Sequence, residues 1–140
     1  MRFHQIRIYH NTDSRFVPYQ NGDRLAATVS HGRNQPADTS PEQIADWAFH
    51  VCNADLDHLE TGRVTPDGEV DFLFACVYRL LRLRSLSVGD VIDVATDEDS
   101  CWLACEPFGW RRITPPSNAH GQLLTAEKVY QHIADQASRP

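Results

Sequence analysis

Arg84-Ser-Leu-Ser-Val-Gly-Asp-Val-Ile-Asp-Val94 is the stretch on which the reading of this chain turns. Gly89 accepts a positive φ without steric cost, which suits a sharp reversal. Asp90 can accept hydrogen bonds from nearby backbone N–H groups and so fix that turn. Beyond it, Val91, Ile92 and Val94 are β-branched and favour a strand. Before it, Leu86 and Val88 alternate with Ser85 and Ser87, the period-two pattern of a half-buried extended segment. The run therefore predicts an extended segment, a tight turn and a strand. Its plain reading is structural, because Gly-Asp serves turns far more often than sites.

The rest of the chain is arranged around this turn. Phe3, Ile6, Ile8 and Tyr9 predict an opening strand, residues 10–24 a loop, Leu25–Val29 a second strand, and His31–Thr39 a polar connector. Ser40-Pro-Glu-Gln43 opens a helix. Ser40 caps it, Pro41 takes the first helical position, and Gln43 completes a capping box. Ile44, Trp47, Ala48 and Val51 then form one apolar stripe, with Trp47 as the expected core anchor, and the helix should end near Asn53. Asp55–Gly62 reads as a solvated acidic loop. Thr65-Pro-Asp-Gly68 reads as a turn joining Val64 and Val70 in a short hairpin. Residues 72–83 are ambiguous: Phe72, Phe74, Cys76 and Tyr78 alternate, while Leu73, Val77, Leu80 and Leu81 fit a helix. Their aromatic and β-branched content favours a strand.

After Val94, Thr96–Ser100 predicts a hairpin loop and Cys101–Cys105 the returning strand. Phe108-Gly-Trp110 then turns into residues 111–113. Pro115-Pro116 begins a linker to about His120. Thr125 can cap a last helix with Ala126, Val129, Tyr130, Ile133 and Ala137 on one face. The expected class is α+β: a small, mostly antiparallel, twisted or barrel-like sheet with a central helix and a C-terminal helix. Residues 1–114 should form one domain, with the linker and last helix, 115–140, packed on it.

The run Arg84–Ile92, followed by Gly109-Trp110, resembles a signature of YodL-like domains. It is similar, too, to short proteins of unknown function from actinobacteria, their plasmids and phages. The wider match takes in Arg7–His10, Leu25–Val29, Trp47-Ala-Phe49 and Asn53-Ala-Asp55, within residues 6–114. The resemblance implies a home in mobile elements and a part in countering host defences. It implies no reaction, because it brings no catalytic residues with it.

Composition bounds the function. With 140 residues, 41% hydrophobic and 23% charged, the chain can bury a core without staples. No apolar run approaches the roughly 20 residues of a membrane span, and the start lacks a signal-peptide core. The expectation is a cytoplasmic protein with no membrane partner. Cys52, Cys76, Cys101 and Cys105 lack the close pairing of a zinc site, and the seven histidines are scattered singly. No metal and no cofactor is expected. Charge alternates in blocks of +3, −8, +3, −6 and +2 over residues 1–37, 38–71, 72–84, 85–110 and 111–140. The net of −6 leaves room only for weak, salt-sensitive nucleic-acid binding.

Three classes of function fit. The first is a non-catalytic module that binds a protein partner. Its expected surface lies where the Gly-Asp turn meets the Gly-Trp turn: Arg84, Ser85, Ser87, Gly89, Asp90, Gly109, Trp110 and Arg111. The second is a nucleic-acid or nucleotide binder using Arg79, Arg82, Arg84, Arg111 and Arg112 with Trp110. The third is an enzyme, for which Asp90, Asp93 and the histidines are the candidate acid–base groups, although carboxylates near a turn are far more often structural. No nucleophile elbow, phosphate loop or His-Glu-x-x-His motif occurs.

Overall fold

The computed structural model describes residues 1–137, but not the side chains at 130, 132–134, 136 and 137. The expected placements of Tyr130, Ile133 and Ala137 therefore lie outside the described residues. Four helices pack with a curled mixed sheet, so the α+β class stands. The strands are β1 (Arg2–Asn11), β2 (Leu25–Gln35), β3 (Val91–Ala95), β4 (Ser100–Cys105), β5 (Trp110–Ile113), β6 (Ala119–His120) and β7 (Leu124–Thr125). The helices are α1 (Pro41–Asn53), α2 (Leu56–Thr61), α3 (Gly68–Leu80) and α4 (Ala126–Ala137). The sheet runs β5-β4-β3-β1-β2-β6, with β7 also on β2. Its long pairings are antiparallel; β6 and β7 join β2 in parallel. Among the described residues no helix is long and apolar enough to cross a membrane.

Period two along the strands divides the interior in two. On one face Ile6, Ile8, Val29, Ile92, Val94 and Leu103 meet apolar residues of all four helices. On the other, Tyr9, Leu25, Val91 and Ala104 lie beneath Tyr19 of the 12–24 loop. This double cover makes every residue of β3 buried. Strand β1 pairs with both β2 and β3, and Thr28 is the extra residue in a bulge opposite Ile8 and Tyr9. Its hydroxyl donates to the Ile8 carbonyl at 2.7 Å, satisfying an acceptor at the bulge.

Helix α1 forms as read, with the reciprocal Ser40–Gln43 capping box present. Its buried stripe is Ile44, Ala45, Ala48, Val51 and Cys52. Trp47 stands at the rim of the core rather than at its centre: it is half-buried, and its Nε1–H donates to Asp71 at 3.0 Å.

Four expectations are corrected. Residues 72–80 are helical, within α3, not a strand. Phe74, Val77 and Tyr78, with half-buried Leu81 at the cap, make a stripe at i, i+3, i+4 and i+7, and that helical period wins over the coincidental alternation. Glu69 and Asp71 in the first turn suit the positive end of the helix dipole. No hairpin joins Val64 to Val70, because the turn at 65–68 leads directly into α3. The acidic stretch contains α2, capped by Asp55 and anchored by buried Leu59. Finally, β2 runs on to Gln35, since β1 supplies partners as far as Arg2. The linker contributes β6, and α4 packs on the main core through Ala126 and Val129.

Candidate functional site

The Gly-Asp turn is held from within. Asp90 is 0% exposed, yet each of its oxygens accepts twice. Oδ1 receives Nη2 of Arg84 at 2.7 Å and the Asn11 N–H at 2.9 Å. Oδ2 receives Nη1 of Arg84 at 2.8 Å and the Ser87 N–H at 2.9 Å. A bidentate guanidinium and two backbone donors thus use the carboxylate's acceptor capacity. Arg84 also donates from Nη2 to the Asn11 carbonyl at 3.0 Å, and the Asn11 amide donates to the Gly89 carbonyl at 3.1 Å. The turn, the end of β1 and the segment after α3 are thereby one unit.

Backbone geometry completes the lock. Gly89 has φ +97°, and a Cβ there would sit 2.5 Å from the Val17 carbonyl oxygen. Its N–H donates to the Cys105 carbonyl, and the Cys105 N–H donates to the Asp90 carbonyl. Further along, the Asn53 side chain mimics a strand: its amide donates to the Leu86 carbonyl at 2.9 Å and its oxygen accepts the Leu86 N–H at 2.8 Å. The Tyr78 hydroxyl donates to the Arg84 carbonyl. Its oxygen therefore accepts from Nε2–H of His10 at 2.9 Å, which selects that tautomer.

His10 is buried beside this hub. Burial lowers its pKa to about 4; Asp90 opposes that shift and Arg84 adds to it. Burial also lowers His4. Between about pH 4 and 6.5 the unfolded chain therefore binds more protons at His10 than the folded one. Stability should fall as pH drops through that window, by at most about 3 kcal/mol from His10. Equilibrium denaturation across the window should show a flatter pH dependence in His10→Gln. Parallel curves for the variant and the wild type would contradict this assignment.

The two turns meet as the sequence predicts, at one end of β3 and β4. Asp90, Ser87 and Gly89 are buried, Arg84 is partly so, and Ser85 and Gly109 are exposed. Gly109, at φ +85°, closes the hairpin in which the Glu106 N–H donates to the Gly109 carbonyl. Trp110 is half-buried; its ring meets Phe49 edge-on at 6.4 Å and its Nε1–H donates to Asp46 at 2.8 Å. It props β5 against α1. Arg111 pairs with Glu106 and donates to the Tyr19 carbonyl at 2.6 Å. Arg112 forms a two-pronged pair with Glu42, which holds the glutamate below the usual carboxylate range.

Two large apolar side chains at this end stand out to solvent. Phe108, at the tip of the β4–β5 hairpin, is 98% exposed. Phe16 is 63% exposed in the 12–24 loop, held at φ +64°, with Val17 exposed beside it. Left-handed backbone is costly for an aromatic residue, so its neighbours hold it there. Arg15 stacks over the Phe16 ring at 5.0 Å. The loop lies against the turn through Val17 and Gly89, and against β5 through Tyr19 and Arg111. Phe108 was legible as a turn-tip residue between Pro107 and Gly109; Phe16 carried no such signal.

The four cysteines are free thiols. Burial pushes Cys105 up to about 11 and raises Cys52 further, so neither is a thiolate at neutral pH. Asp93 is occupied by Arg7 at 2.9 Å and by the Ser100 hydroxyl. No protein-family model, no curated protein and no solved structure matches this chain.

Proposed function

We propose that the chain is a non-catalytic module that docks on a protein partner through the end of the sheet where the Gly-Asp and Gly-Trp turns meet. The observation that carries this reading is the pair of exposed aromatic rings, Phe16 and Phe108, in the loop and the hairpin that Arg111 ties together through the Tyr19 carbonyl and Glu106. Exposed aromatic residues on a rigid support cost little entropy on binding, and aromatic and Arg side chains are enriched at interface centres. The hub at Asp90 supplies the rigidity, and the aromatic rings make the contact. The partner's matching surface is an apolar hollow able to take the Phe108 ring. The sequence resemblance adds the finer reading: a protein of mobile elements that acts against host defences.

The nucleic-acid alternative finds less support. Arg79, Arg84, Arg111 and Arg112 all spend guanidinium hydrogen bonds inside the chain, on Ala54, Asp90, Tyr19 and Glu42 among others. Arginines committed in this way have fewer donors for phosphate.

Phe108→Asp and Phe16→Asp test the proposal. Phe108→Asp should melt like the wild type, because its ring is almost wholly in solvent. Each change should weaken capture of the partner from nuclease-treated host lysate by about thirtyfold or more, the effect of losing an interface hot spot. Undiminished capture by folded variants would remove this surface from the account.

A further inference from the structure

We infer that the cavity between α3 and α4 is a binding site for a small apolar primary amine, taken up as its ammonium. The cavity has a volume of about 320 Å³, within the range of small-molecule sites. Leu73, Phe74, Val77 and Ala126 give it apolar walls, His31 adds part of its ring, and Glu127 brings a carboxylate to it. It lies apart from the turn end, and its occupancy does not depend on the docking proposal.

Two features select the ligand's chemistry. The first is Glu127. Its Oε1 accepts the Gly32 N–H at 3.1 Å and lies 3.0 Å from Nδ1 of His31. Both contacts use the same oxygen, which leaves Oε2 out of them. Burial disfavours the ionised carboxyl, but the His31 ring and the N–H groups of Glu127 and Gly32 outweigh it, so the group stays below its usual range. At neutral pH the cavity therefore carries a carboxylate beside an apolar wall, which attracts a cation and repels an acid.

The second feature is His31 itself. It is 5% exposed and stacks on Phe74 at 4.7 Å and on Trp47 at 5.7 Å. Its Nδ1 contact with Glu127 falls short of hydrogen-bond geometry, its Nε2 has no partner among the described residues, and both nitrogens are closed off, so the ring offers the cavity carbon rather than nitrogen. An ammonium donates to the Glu127 carboxylate, while its hydrocarbon body covers Leu73, Val77 and the carbon edge of His31.

The test uses n-hexylammonium, n-hexanol and hexanoate as probes, followed by amide chemical shifts on the full chain. Hexylammonium should bind saturably, with a Kd of about 1 mM for so small a probe, and shift residues 73–77 and 126–127. Hexanoate should bind at least about tenfold more weakly, because the carboxylate repels it. Glu127→Gln should remove the preference for the amine over hexanol while hexanol still binds. Leu73→Trp should block all three by filling the cavity. If either substitution loosens the last helix, the wild-type contrast between ammonium and carboxylate decides. Equal affinity for the two, shifts that map elsewhere, or no saturable binding would each overturn the inference.

Discussion

Asp90→Ala is expected to cost about 3–5 kcal/mol, the largest loss from any single change in this chain. The cost follows from what the substitution leaves behind. Arg84 would keep a partly buried charge whose two anchors have gone. The N–H groups of Asn11 and Ser87 would lose their acceptors in a place that water scarcely reaches. For a domain of this size the melting temperature should fall by roughly 10–20 °C. Arg84→Met should also be severe, since it strands the carboxylate. The double change Arg84→Met with Asp90→Leu should cost less than the two separate losses added together, because neither charge is then abandoned. Thermal melts of the four proteins measure that coupling. An Asp90→Ala protein that melts within a few degrees of wild type would mean that the hub does not hold the fold.

The second large effect is expected at Gly89. Gly89→Val places a β-branched side chain at φ +97°, a strain of about 1–3 kcal/mol by itself. It also drives a Cβ to 2.5 Å from the Val17 carbonyl oxygen. The obstacle is backbone, so the 12–24 loop must move as a whole. Gly89→Val should therefore melt well below Asp97→Ala, which changes an exposed residue in the turn after β3. Amide shifts should change along residues 14–19. Matching melting temperatures would show that neither the φ nor the close approach matters. Because the same loop carries Phe16, a folded Gly89→Val protein should also bind its partner less well.

These two residues were legible in the sequence because their requirements are local. A glycine before Asp and a β-branched run announces a turn whatever surrounds it, and the Ser40–Gln43 box announces α1 in the same way. Residues 72–80 were not legible, because alternating aromatics satisfy period two while the same segment satisfies a helical stripe. Only packing against α1 and the sheet selects between them. The end of β2 was hidden for a similar reason: Gly32-Arg-Asn-Gln35 has little strand character of its own and is extended because β1 lies beside it. Asn53 read only as the end of α1, yet its side chain holds Leu86 far along the chain. His31 and Glu127 meet only after α4 folds back onto β2. The turn end was thus anticipated as a place, but its division into a buried polar support and an exposed apolar rim was not.

The central claim is that the rim, rather than exposed apolar surface in general, makes the contact. Val64 provides the control: it is 94% exposed, nearly the same as Phe108, but lies in the short turn of 3-10 helix at Gly62–Val64, between α2 and α3. The direct measurement places a photo-cross-linking residue at position 108 in one protein and at position 64 in another. Each is illuminated in nuclease-treated host lysate. The account predicts one protein partner joined through position 108 and none, or only scattered background, through position 64. The same partner captured equally from both positions, or from 64 alone, would contradict it.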